Sequence, residues 1–171
     1  MKYSNIVKSA LPNAVLGFLA LGLTSTSAVV AQANPATTTF AVTATVLKDC
    51  IVSASALGFG SYTGAVVNVS STITVTCTSG TSYTVGLNQG LATGATVTTR
   101  QMAITQPAGA LNYSLLTGSY TGTNWGNTSG SWVSGSGSGA AQPLTVYGVL
   151  PAGQYVPPGS YTDTITATVT Y

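Results

Sequence analysis

An alternation of apolar and small polar residues with period two limits what this sequence can fold into more than any other feature. Phe40, Val42, Ala44 and Val46 alternate with Thr39, Ala41, Thr43 and Thr45, and Ile73, Val75 and Cys77 with Thr72, Thr74 and Thr76. Tyr83, Val85 and Leu87 form a third set, and Leu111, Tyr113 and Leu115 a fourth. Ile165, Ala167, Val169 and Tyr171 close the chain, interleaved with Thr164, Thr166, Thr168 and Thr170. Successive side chains of a strand point to opposite faces, so this spacing sets an apolar row against a core and a Thr row toward water. β-branched residues suit such a half-buried pleated surface. No stretch after residue 33 carries a 3.6-residue period, so the expected class is all-β with antiparallel strands.

Turn chemistry separates the runs. Asn88-Gln89-Gly90, Pro107-Ala108-Gly109 and Pro157-Pro158-Gly159 each supply a residue for positive φ or a preset φ. The Gly/Ser stretch from Ser129 to Gly139 reads as a long loop between two strands of one domain, because too little chain follows it to build a second. About seven strands at this spacing suggest an immunoglobulin-like β-sandwich.

Residues 1–33 read as a secretory signal peptide. Lys2 and Lys8 supply a positive beginning, the run Ala14 to Leu23 an apolar core, and Ala31-Gln32-Ala33 a small-x-small cleavage site. The apolar run is about half of the roughly 20 residues that a membrane-spanning helix needs. No second run of that length follows, so the mature chain is expected to be exported and not inserted in a membrane. Export bears on Cys50 and Cys77, since an even pair in an oxidising compartment reads as a disulfide. Closing that loop should stabilise the fold by roughly 3–4 kcal/mol. A reactive thiol or a metal site, the alternatives, would find no acidic or imidazole helper nearby except Asp49.

Charge is nearly absent: four Lys or Arg, two Asp, no His and no Glu among 171 residues. Without His there is no imidazole base or ligand. Two carboxylates are too few for a calcium cage, and four cations too few to track a nucleic-acid backbone. Many Ser and Thr are present, but no base stands ready to activate one. The expectation is a protein that is not an enzyme, with no cofactor, no metal and no nucleic-acid partner. Beyond residue 33, Lys48, Arg100, Asp49 and Asp163 cancel. Arg100 and Asp163 are expected to form a structural pair fixing strand ends. Trp125, Trp132 and Tyr120 can be read as a sugar-binding patch or as core and loop anchors, the second reading being preferred.

Several short runs, in a fixed order, resemble the spore coat protein U domain family, which includes subunits of archaic chaperone–usher pili. They are Cys50-Ile51-Val52 with Leu57-Gly58-Phe59-Gly60-Ser61-Tyr62, then Ile73-Thr74-Val75-Thr76-Cys77 with Tyr83-Thr84-Val85-Gly86-Leu87. Arg100-Gln101-Met102, Leu111-Asn112-Tyr113-Ser114-Leu115 and Trp125-Gly126 follow. The most specific is the tail: Leu144-Thr145-Val146-Tyr147-Gly148, Gly153-Gln154 and Gly159-Ser160-Tyr161-Thr162-Asp163-Thr164-Ile165. The resemblance implies an incomplete immunoglobulin-like sandwich that lacks its last strand. In that family a periplasmic chaperone lends a strand to the gap, and an outer-membrane usher exchanges it for the N-terminal strand of the next subunit.

Residues 34–47, before the first cysteine, are the cleanest alternating run in the chain. A strand at a free N-terminus can pair with an exposed sheet edge and fill alternate pockets. By pattern alone Thr39 to Val46 reads equally well as the first strand of its own domain, and it is the resemblance to the family that favours the donor reading. The expected organisation is a signal peptide at 1–33, an N-terminal donor strand at 34–47 and a β-sandwich domain at 48–171. Phe40, Val42, Ala44 and Val46 are the expected plugs; Ile165, Ala167, Val169 and Tyr171 form the strand expected to meet the chaperone. The expected function is a pilus subunit, exported through the periplasm to the cell surface, polymerised by donor-strand exchange and supporting attachment and biofilm. Its partners would be copies of itself or sister pilins, the chaperone and the usher. A surface coat protein with the same domain, or a carbohydrate-binding adhesin, are the alternatives.

Overall fold

The computed structural model describes residues 33–105 and 108–171. The leader expected at 1–33 therefore lies, apart from Ala33, outside the described residues. The chain divides into the units Met1–Val42 and Thr43–Tyr171. In the first, residues 33–42 carry no regular secondary structure. Among the described residues the second holds nine strands, all paired antiparallel.

The strands are β1 (Cys50–Ala54), β2 (Val67–Cys77), β3 (Ser82–Leu87), β4 (Arg100–Ile104), β5 (Gly109–Thr117), β6 (Thr123–Asn124), β7 (Val133–Ser136), β8 (Gln142–Leu150) and β9 (Ala167–Thr170). One sheet runs β1-β2-β8-β5-β4, with β6 on β5; the other runs β7-β3-β9. Two sheets packed face to face make the sandwich the alternation calls for.

Each inner face delivers the residues its period predicts. Ile73, Val75 and Cys77 of β2 are buried, as are Tyr83, Val85 and Leu87 of β3 and Leu111, Tyr113 and Leu115 of β5. The Thr residues that alternate with them in β2 and β3 are less buried, and burial of the inner rows supplies the main drive to fold. Trp125, just after β6, ties the two layers together. Its N–H donates to the Leu115 carbonyl of the first sheet at 2.8 Å, and its indole Nε1 to the Val85 carbonyl of the second at 2.8 Å.

The stretch from Ser129 to Gly139 departs from the loop expected there, because it contains β7 as an edge strand. Val133 pairs with Val85 and Ser136 with Ser82. A side chain at Gly135 would collide with the Tyr83 ring, and one at Gly137 with the Cys77 backbone. Glycine here lets the strand lie close on the core, so composition that looks flexible belongs to a close approach.

Candidate functional site

The sandwich is open along one side. β1 pairs only with β2, and β9 only with β3, so each presents an unpaired edge. The two edges border one cavity of about 410 Å³. Ala54 and Leu57 come from β1 and the segment after it; Ile165 and Ala167 come from the β9 side. The floor is core: Ile73, Leu87, Leu115 and Val146 from both sheets. The Tyr171 hydroxyl reaches Asp49 Oδ1 at 3.4 Å near the start of β1, whereas Ile165 lines the same cavity as Ala54 at the end of β1, so β1 and β9 run in opposite directions. A second cavity of about 820 Å³ continues the groove past Leu57, Phe59, Met102 and Tyr161 toward Tyr155 and Val156.

Glycine in β8 shapes the wall. A side chain at Gly148 would come within 2.9 Å of the Leu57 methyls and 3.2 Å of the Phe59 ring, so its absence seats both over the first sheet. Phe59 then packs edge-on against Tyr113, ring centroids 6.0 Å apart.

A polar cluster sits at this groove wall. The Tyr113 hydroxyl donates to Asp163 Oδ2 at 2.5 Å, while Oδ1 accepts the Leu91 N–H at 2.8 Å and the Thr164 N–H at 2.7 Å. Burial, reinforced by the bond to Asp163, pushes the Tyr113 hydroxyl well above its ordinary range, with the nearby Arg100 charge opposing. Gly90 accommodates the carboxylate: its φ is +88°, and a methyl group there would occupy the position of Asp163 Oδ2.

The Arg100–Asp163 pair expected from sequence does not form as a contact. Arg100 is fully buried and donates to carbonyls instead: Nε to Asn88 at 2.9 Å, Nη1 to Val97 at 2.8 Å, and Nη2 to Leu87 at 3.1 Å and Trp125 at 2.7 Å. A planar guanidinium with five donors can satisfy converging strand-end carbonyls that no backbone partner reaches. Burial lowers its pKa, and the Tyr113 and Asp163 charges partly restore it.

The other sequence-predicted residues fall in three places. Cys50 and Cys77 face each other across β1 and β2 and are disulfide-bonded. Ile165, Ala167 and Val169 are half-buried and pack on the core, the first two lining the groove, while Tyr171 is more than half exposed. Only Ala167 and Val169 of this set lie within β9. Phe40, Val42, Ala44 and Val46 belong to no strand, and Phe40 is 85% and Val46 81% exposed. The sugar-binding reading of the aromatics loses its centre, since Trp125 is buried and Tyr120 stacks edge-on against Tyr147. Sequence reasoning missed Leu57, Phe59 and Met102 as groove residues. The Leu57-Gly58-Phe59 run was visible, but it lies outside any alternating strand and carries no period to interpret.

An all-β sandwich with an open, apolar side groove is the class this geometry defines. The family profile described as Spore Coat Protein U domain matches residues 36–168, and the chain belongs to that family. It is similar to Protein U of Myxococcus xanthus, with 35% identity over 157 residues, 82% of this chain and 88% of that protein. The fold is similar to that in the crystal structure of the CsuC–CsuE chaperone–tip adhesion subunit pre-assembly complex from archaic chaperone–usher Csu pili of Acinetobacter baumannii. That likeness has a TM-score of 0.58 and 24% identity, and covers 74% of this chain and 41% of that chain.

Proposed function

We propose that this protein is a structural subunit of an archaic chaperone–usher pilus, exported through the periplasm and polymerised at the cell surface by donor-strand exchange. The carrying observation is a pair of features that complement each other. The domain leaves an apolar groove between two unpaired strand edges, and residues 34–47 form an alternating segment that the domain leaves exposed. A strand laid in the groove can pair with β1, with β9 or with both, while its alternate side chains meet the floor. Four plugs at alternate positions span about 20 Å of strand. Burying Phe40, Val42, Ala44 and Val46 would stabilise the joint by about 5–9 kcal/mol at most.

In the free subunit the groove must be occupied or water meets the core, which is the physical reason for a strand-lending periplasmic chaperone and an outer-membrane usher. The likeness to a chaperone–subunit complex supports this reading. Attachment and biofilm are the roles proposed for the resulting fibre. A cell-surface or spore coat assembly built from the same joint is the second reading, favoured by the likeness to Protein U.

Deleting residues 34–47 tests the joint. The truncated subunit should still bind the chaperone but terminate chains, so the ladder of polymers seen when unheated fibres are run in detergent should vanish. An undiminished ladder would exclude donor-strand exchange through this segment.

A further inference from the structure

The groove explains how a donor would be held, but not how the other end of each joint withstands tension. A load carried by the N-terminal segment reaches the domain at β1, and β1 is a poor anchor. It has five residues, one neighbouring strand, and side chains that mostly face solvent, with Ile51 68% exposed. Pulled from its first residue, such an edge strand peels, its ladder bonds breaking one after another.

Two features sit at that first residue. Cys50, which begins β1, is bonded to Cys77, which ends β2, and the two are register partners. Beside them, Thr78 grips the chain just upstream. Its N–H donates to the Asp49 carbonyl at 2.9 Å, and its Oγ1 accepts the Asp49 N–H at 3.1 Å and donates to the Leu47 carbonyl at 3.3 Å. Lys48 is thus bracketed by held residues, and slack between segment and domain is nearly nil. β2 has eleven residues and lies between β1 and β8, with its inner row buried.

We propose that the Cys50–Cys77 bridge and the Thr78 clasp form a mechanical lock, passing tension from the N-terminal segment straight into β2 and sparing β1. The inference rests on the fibre reading of the previous section. The bridge also removes the intervening chain from the load path. Its cysteines are 27 residues apart, and that length of chain would otherwise pay out about 90 Å per subunit.

The test is single-fibre force spectroscopy on the wild-type polymer, in its oxidised form and after reduction and alkylation of fibres already assembled. Working on assembled fibres separates the lock from any need for the bridge in folding. Reduced fibres should give way first at lower force, each event lengthening the fibre by up to about 90 Å more than in oxidised fibres. Fibres of Thr78→Val, with the bridge intact, should show an early, low-force yield of only a few residues and no such gain. Equal first-yield force and equal extension in oxidised and reduced fibres would overturn the lock while leaving donor-strand exchange standing. Failure of the donor reading would instead show in the detergent ladder of the truncated subunit.

Discussion

Arg100 shows how much one side chain can hold when its surroundings supply no carboxylate. Four carbonyls from the end of β3, the loop before β4 and Trp125 converge on its guanidinium. Arg100→Met fills similar volume but leaves those acceptors without donors in the core. The expected loss is about 3–5 kcal/mol in urea unfolding, in line with breaking a buried charged network from one side. Arg100→Lys should recover only part of it, because an ammonium cannot span four acceptors in one plane.

Tyr113 makes a separate, pH-dependent prediction. Its hydroxyl is held above its ordinary pKa of 10.0 by burial and then by the bond to Asp163. A raised pKa means the native state keeps the proton that the unfolded chain gives up. This contribution to stability is therefore complete below pH 10 and falls away as pH rises beyond it. Urea midpoints measured on either side of pH 10 should show a steeper alkaline fall for wild type than for Tyr113→Phe. The variant itself should lose about 1–2 kcal/mol at neutral pH for the missing hydrogen bond.

At the scale of elements, the groove wall is the part where a change should separate folding from assembly. Ala167 lines the cavity from β9 and is half-buried. Ala167→Glu puts an unpaired carboxylate where the proposed donor strand would lie, while β9 keeps its ladder to β3. The subunit should keep its far-ultraviolet circular dichroism and its disulfide yet give a shortened detergent ladder. Phe40→Ala on the donor side should weaken the joint by about 2–3 kcal/mol, read as a lower temperature at which the ladder collapses.

These elements also show how much of the fold was legible in advance. β2, β3 and β5 were readable because each buries a row of large residues at strict spacing of two. β7 was not: its sequence is Val-Ser-Gly-Ser, and what fits it to the core is the absence of a side chain at Gly135 against Tyr83 and, just past the strand, at Gly137 against Thr78 and Cys77. Spacing reports which residues are buried and says nothing about room left for a neighbour. The groove was half legible for the same reason. Ile165 and Ala167 follow the alternation, whereas Leu57, Phe59 and Met102 reach it from a loop and the far edge, and only the tertiary fold brings them together. Arg100 reads in the sequence as half of a pair with Asp163, but its real partners are carbonyls, which every sequence has and none advertises.

The molecule as a whole is set apart by its near-empty charge inventory. Beyond residue 33 its two cations are Lys48 and Arg100, and Arg100 is sealed in the core. Beyond residue 33 trypsin therefore has one accessible target in the folded subunit, the exposed Lys48 at the foot of the proposed donor segment. A limited digest of monomer should release the peptide that ends at Lys48, leave the sandwich intact, and abolish assembly. In the free subunit Leu47 and Asp49 are already clasped to Thr78 on either side of this bond, and in the proposed fibre a seated donor strand would hold the residues upstream as well. A protease needs several residues in an extended, accessible conformation, so cleavage should slow by at least about tenfold on polymerisation. Assembly itself should respond weakly to salt. The side chains of residues 34–171 sum to zero formal charge, and those of residues 34–47 carry none, so little long-range field exists to steer or oppose the joint. Assembly rates measured across a range of NaCl concentrations should stay nearly flat at low salt and rise only where strong salting-out begins to favour apolar burial. A steep fall with added salt would mean that a charged contact outside the groove carries the association, and that the plugs do not.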